Sequence, residues 1–166
     1  MRARVRLELT GRDGEVVAVR EARNSVMRDG ALLVARLFAG AEGAAGITHM
    51  GVGTSDVPET GTYTTAALSN DESAPLTGGT DGPIPAEAFT ITPDPDRRVA
   101  LVRVRGTLGD TVAVGTVREA GLLSRAGDTT TLYNRVTFAP LTKGGDHELT
   151  LFWEITFPYG DLHGLA

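Results

Sequence analysis

The first residues of the chain alternate between apolar and polar positions. Ala3, Val5, Leu7 and Leu9 fall on one side, and Arg2, Arg4, Arg6 and Glu8 on the other. A period of two belongs to a half-buried strand, whose successive side chains point to opposite faces. Gly11-Arg12-Asp13-Gly14 is a turn signal, and residues 16–20 read as the returning strand, so a leading hairpin is predicted over 2–20. The period then changes. Leu33 with Leu37 and Val34 with Phe38 recur at helical spacing, with Gly40 where a C-terminal cap glycine belongs. One short helix is predicted near 29–39, with Asn24, Ser25 or Asp29 as candidate N-caps. It is expected to plug one end of a β core, and its alternative use is a face for a partner.

Residues 47–52 read as a buried strand running out through Gly51-Val52-Gly53-Thr54. From 54 to 85 the chain is loop-like, crowded with Gly, Pro, Asp and Asn, and Tyr63 is its only aromatic residue. Loops of this length within a small domain are usually functional or ordered by a neighbour. Its excision is expected to leave folding largely intact. Strands return at 88–92 and 99–108 around the turn Pro93-Asp94-Pro95-Asp96, then at 111–117, 132–138 and 148–157. The last is the clearest, with Leu149, Leu151, Trp153, Ile155 and Phe157 on one face and Phe152 among Glu148, Thr150, Glu154 and Thr156 on the other. About eight short strands and one helix predict an all-β fold, an antiparallel β-sandwich or barrel-like domain. The whole chain, 1–166, is expected to be one such domain with a short C-terminal tail at 158–166.

Charge and composition narrow the function. A net charge of −5 argues against a nucleic-acid footprint. The absence of cysteine removes disulfides, thiolate metal sites and a cysteine nucleophile. No apolar run reaches the roughly 20 residues of a membrane helix, and no apolar signal core follows the N-terminus, so neither membrane insertion nor export by the common route is expected.

Candidate chemistry is sparse. No serine lies in a Gly-x-Ser-x-Gly elbow. His49, His147 and His163 have no metal-binding spacing; His49 reads as a structural histidine in a buried strand, and the other two as solvated. Gly51-Val52-Gly53-Thr54 lacks the third glycine of a dinucleotide fingerprint and the lysine of a P-loop, so it reads as a tight strand exit. The acidic residues of the long loop lack calcium-loop spacing. The expectation is a protein that is not an enzyme and uses no metal or cofactor.

Four segments in order carry a resemblance. They are the helix Asp29-Gly30-Ala31-Leu32-Leu33-Val34-Ala35-Arg36-Leu37-Phe38-Ala39-Gly40, the strand Ile47-Thr48-His49-Met50-Gly51-Val52-Gly53-Thr54, the step Val117-Arg118-Glu119-Ala120-Gly121-Leu122-Leu123, and the pair Leu132-Tyr133-Asn134-Arg135-Val136-Thr137-Phe138 with 149–157. Over about 24–157 this order resembles small phage tail-associated structural proteins of the tail fibre, collar or baseplate type, also found in phage-like contractile injection systems. The resemblance implies a virion or particle component assembled in the bacterial cytoplasm. Its partners would be itself, as a homo-oligomer such as a trimer or ring, and other structural subunits. The alternative is a host receptor- or glycan-binding module presented by the 54–85 loop.

The residue types single out candidate partner contacts. Phe152 is a large apolar group on a polar face. Arg97, Arg98, Arg103 and Arg105 form a basic stretch, which reads either as a solvated face or as a surface for an acidic partner. Glu119 lies beside an apolar step and reads first as the intrachain partner of Arg118, Arg125 or Arg135, and second as a contact with a neighbouring subunit. Tyr63 in the long loop and Tyr159 in the tail complete the set.

Overall fold

The computed structural model describes residues 2–59, 61 and 63–160. Nine strands form one curled antiparallel sheet, a half-barrel, as the alternation predicts. In chain order they are β1 (Arg2–Thr10), β2 (Val16–Val26), β3 (His49–Gly53), β4 (Asp81–Pro83), β5 (Phe89–Asp94), β6 (Val99–Leu108), β7 (Gly115–Ala126), β8 (Thr129–Lys143) and β9 (Glu148–Pro158). Across the sheet the order is β4-β3-β7-β8-β2-β1-β9-β6-β5.

β2 joins the two halves. Its first nine residues, apart from the bulged Val17, pair with β1, and Ser25 and Val26 then pair with Arg135 and Asn134 of β8. The lips of the half-barrel approach each other where β4 touches β6. Within the curl, Val5, Leu7 and Leu9 meet Leu149, Leu151, Trp153 and Ile155, closed from the other half by Val52, Val117, Leu122 and Val136. Burying a side chain of this size stabilises by about 1.5–3 kcal/mol, so the inward row of β9 is a main contributor to stability.

The helix α1 (Arg28–Phe38) lies against β8. Gly30 makes the approach possible, because a Cβ there would collide with the carbonyl of Tyr133. None of the expected N-caps serves. Asn24 and Ser25 belong to β2, Asp29 lies in the first turn, and Met27 holds the cap position without a side-chain hydrogen bond. The orphan amides find backbone acceptors instead: Met27 N donates to Tyr133 O (3.0 Å) and Arg28 N to Tyr63 O (2.8 Å). At the other end Gly40 takes φ +62°, with Gly40 N donating to Leu37 O and Ala41 N to Arg36 O. That pair of bonds is a Schellman motif. Only Gly30 and Leu33 of the helix are fully buried, while Leu32, Leu37 and Phe38 face outward. The plug is therefore partial.

Several strand limits differ from the sequence expectation: β2 runs on to Val26, β3 spans His49–Gly53, and β4 lies inside the segment expected to be loop. The strand expected at 111–117 instead spans Gly115–Ala126, displaced by register shifts between Val117 and Glu119 and between Leu122 and Leu123. Such bulges break the period of two. At the second, Asn134 Oδ1 accepts Leu122 N (2.9 Å), so a side chain completes the ladder. β8 continues through Pro140 because residues 138–140 fall in the gap of its pairing with β7, where no amide is needed. β5 likewise runs through Pro93, on the free edge of the sheet, which moves the turn to 95–98.

Candidate functional site

A groove of about 820 Å³ runs along the outer face of β2, β1, β9 and β6, with Ala88 and Thr90 at its far wall. The strand registers build it in rows, because directly opposed residues of an antiparallel pair share a face. One row runs Arg23, Arg4, Glu154, Arg103, and the next runs Glu21, Arg6, Phe152, Arg105. Glu8 lies one step beyond. Five guanidinium groups thus face three carboxylates, on a chain whose net charge is −5.

The carboxylates are shared out unevenly. Glu154 accepts from both Arg4 (3.0 Å) and Arg103 (3.3 Å), and Arg6 reaches Glu8 (2.8 Å) and Glu21 (2.9 Å). Those two hydrogen-bonded carboxylates raise the Arg6 pKa above its ordinary value. Arg105 instead lies over the Phe152 ring, 5.7 Å from its centroid, a cation–π contact. Among the described residues neither Arg105 nor Arg23 has a carboxylate within salt-bridge distance. Arg23 also stands directly opposite Arg4. Like charges in that position destabilise a sheet, and Glu154 relieves Arg4 alone. The groove is therefore an anion-seeking surface with two guanidiniums that lack carboxylates, Arg105 on the Phe152 ring and Arg23 at the β2 side.

The candidate contacts separate into four places. Arg103, Arg105 and Phe152 come together in the groove. Arg97 and Arg98 do not join them: they occupy the β5–β6 turn, where Arg97 reaches back to Asp94 (3.6 Å) and Arg98 adopts φ +52°. Tyr159 N donates to Arg98 O (3.0 Å), and the Tyr159 side chain is half exposed. Tyr63 sits beside the start of α1, also half exposed. The rest of the tail, 161–166 with His163, lies outside the described residues.

Glu119 is buried in the half of the sheet away from the groove, so its side chain offers no surface to a neighbour. It pairs with Arg135, Oε2 to Nε at 2.5 Å, both side chains 2% exposed or less. Of the three arginines expected as its intrachain partner, Arg135 is the one. The pair ties down the long loop. Glu119 Oε1 accepts Ser69 N (2.6 Å), while Arg135 donates to Val57 O (2.8 Å) and Ser55 Oγ (3.2 Å). Glu59 adds a bond to Thr137 N. Leu76 and Ile84 enter the hydrophobic core from the same segment. The loop is thus part of the folded body, contrary to the expectation that its excision spares folding. Gly53 ends β3 where a Cβ would strike Glu119 Oε1, so the glycine run is a strand exit packed on the buried pair.

Several other buried or half-buried polar groups also hold structure. Lys143 Nζ donates to Asp110 O (2.8 Å), and burial lowers its pKa against the pull of Asp110, Glu148 and Asp146. Ser124 Oγ donates to Ala45 O (2.8 Å). His147, expected to be solvated, is half-buried, and its Nδ1 accepts Gly144 N (2.9 Å) to close the β8–β9 turn. His49 Nδ1 meets Thr48 Oγ1 (2.9 Å) at the start of β3. Burial raises the Tyr133 pKa to about 12.

Arg4, Arg6, Arg23 and Glu154 are groove residues that sequence reasoning did not single out. Their signal was the alternation itself, which puts Arg4 and Arg6 on the outer face of β1. Compared with family models, curated proteins and solved structures, the chain matches none.

Proposed function

We propose that this chain is a non-enzymatic structural subunit that holds other subunits, as a homo-oligomeric connector in a phage tail or a phage-like injection particle. The assignment to such a particle rests on the four-segment resemblance. The assignment as a holder rests on one observation: an arginine-lined groove in which, among the described residues, Arg23 and Arg105 lack carboxylates and Phe152 offers an apolar platform. Arginine forks take carboxylates in paired hydrogen bonds, and a guanidinium stacked on a ring keeps its N–H edges free. An acidic protein segment is the partner this chemistry fits.

The groups that elsewhere do chemistry support the same reading. Glu119, Arg135, Lys143, Ser124 and His147 are each engaged in holding a loop or a turn. A receptor-binding tip at 54–85 draws less support, because much of that segment is fastened to β7 and β8 and its one aromatic, Tyr63, lies against α1. Co-expression with the products of the flanking genes tests the proposal. The expected result is a complex of fixed stoichiometry that dissolves in high salt. A chain that purifies apart from all of them counts against it.

A further inference from the structure

The groove has a complement on the chain itself. Between Arg36 and Arg97 the sequence carries no Lys or Arg but nine Asp or Glu. Two of these, Asp71 and Glu72, are adjacent in sequence and both are exposed on the 69–76 turn. That turn is well braced. Asn70 bonds Leu76 through both its amide atoms (2.8 and 3.2 Å), Asp71 N donates to Thr54 Oγ1 (2.8 Å), and Asp71 Oδ1 accepts Ser73 N and Oγ (2.9 and 2.8 Å). Asp71 is thereby held in its ionised form, its pKa lowered first by the Ser73 amide.

Among the described residues none of 54–85 lines the groove, and Asp71 and Glu72 make no salt bridge to its arginines. The turn stands over β3 and β7, whereas β1 and β9 carry the centre of the groove, with β8 and β2 between the two in the sheet. A surface and its complement on different parts of one molecule make a head-to-tail contact, which closes into a ring or grows as a filament.

We propose that the Asp71–Glu72 turn of one copy seats in the arginine groove of a second copy, where Arg23 and Arg105 take its carboxylates. This deepens the holder reading and rests on it, naming the chain itself as the acidic partner. The contact supplies the counter-charge that Arg23, opposed to Arg4, lacks. Being electrostatic and near the surface, it weakens as salt rises.

Sedimentation velocity of the full chain over the micromolar range tests it, using Arg23→Glu with Arg105→Glu (groove reversed) and Asp71→Arg with Glu72→Arg (turn reversed). All four side chains are exposed, and an unchanged melting temperature verifies folding. The wild type is expected to self-associate. Each reversed protein alone should associate at least about 100-fold more weakly, since attraction becomes repulsion. An equimolar mixture of the two should associate again, because each then finds an opposite charge on the other. A monomeric wild type, reversed proteins that associate normally, or a mixture that stays monomeric would overturn self-docking. If the wild type is monomeric but groove reversal abolishes capture by a flanking gene product, self-docking falls while the holder reading stands. If groove reversal changes neither self-association nor that capture, both fall.

Discussion

Replacing Arg135 with Met removes one member of a buried ion pair and leaves the other in place. Glu119 and Arg135 meet at 2.5 Å with almost no exposure, so no water is at hand to take over the carboxylate. Orphaning a charge in such a site costs about 3–5 kcal/mol. The lost donors to Val57 O and Ser55 Oγ add at most about 1 kcal/mol, because those loop acceptors can turn to solvent. Against a total stability of about 5–15 kcal/mol, this is a large fraction. Urea unfolding followed by Trp153, the single tryptophan and fully buried, reads the loss. At a slope of about 2 kcal/mol per molar the midpoint falls by about 2 M, with the slope itself unchanged. A second variant isolates the cause. Glu119→Gln combined with Arg135→Met removes the buried charge but keeps an acceptor for Ser69 N, and should recover at least half of the loss. A single variant within about 1 kcal/mol of wild type, or a double variant no better than the single, would refute the claim that this pair fastens the loop to the sheet.

Other perturbations probe separate parts of the account. Gly30→Ala should cost about 1–3 kcal/mol by calorimetry, since its Cβ meets the Tyr133 backbone; Gly106→Ala should cost less, since its Cβ meets the flexible end of Met50. Equal losses would show that helix docking does not depend on that close approach. Phe38→Ser should leave the melting temperature nearly unchanged, within about 0.5 kcal/mol, because Phe38 is 96% exposed. Alkaline stability should carry the signature of Tyr133. Its folded pKa of about 12 lies above its ordinary value of 10.0, so the folded state holds a proton that the unfolded state gives up. The contribution is intact below pH 10 and lost as pH rises towards 12, by about 3 kcal/mol in all. Tyr133→Phe should flatten that loss relative to wild type at each pH. The opposing rise from Lys143, whose lowered pKa favours the folded state as pH increases, is common to both proteins.

Much of the fold was legible because its strongest signals are local. The alternations of β1 and β9, the helical spacing of α1 and the glycine at position 40 each express a period or a turn within a dozen residues. β7 was misplaced because its two bulges shift the alternation and its centre, Glu119-Ala120-Gly121, is poor in strand-forming side chains. The role of Glu119 was half legible: an ion pair was expected, but burial and the fastened loop depend on Ser69, Ser55 and Val57, some 50–80 positions from their partners. The groove was legible only in pieces. Arg4 with Arg6 and Arg103 with Arg105 each appear on the polar side of a strand, yet β9 is what brings them together, about 50 residues from one pair and 150 from the other. No pattern within a strand reports which strands become neighbours.

The central claim, that the groove holds a partner subunit, meets its most direct test in the particle assembled from the chain and the products of its flanking genes. Purified particles made with wild-type chain should contain it at a fixed copy number. The same particles made with Arg23→Glu and Arg105→Glu, in a chain that still folds, should lack it. Equal incorporation of both chains, or no incorporation of the wild type, would contradict the account.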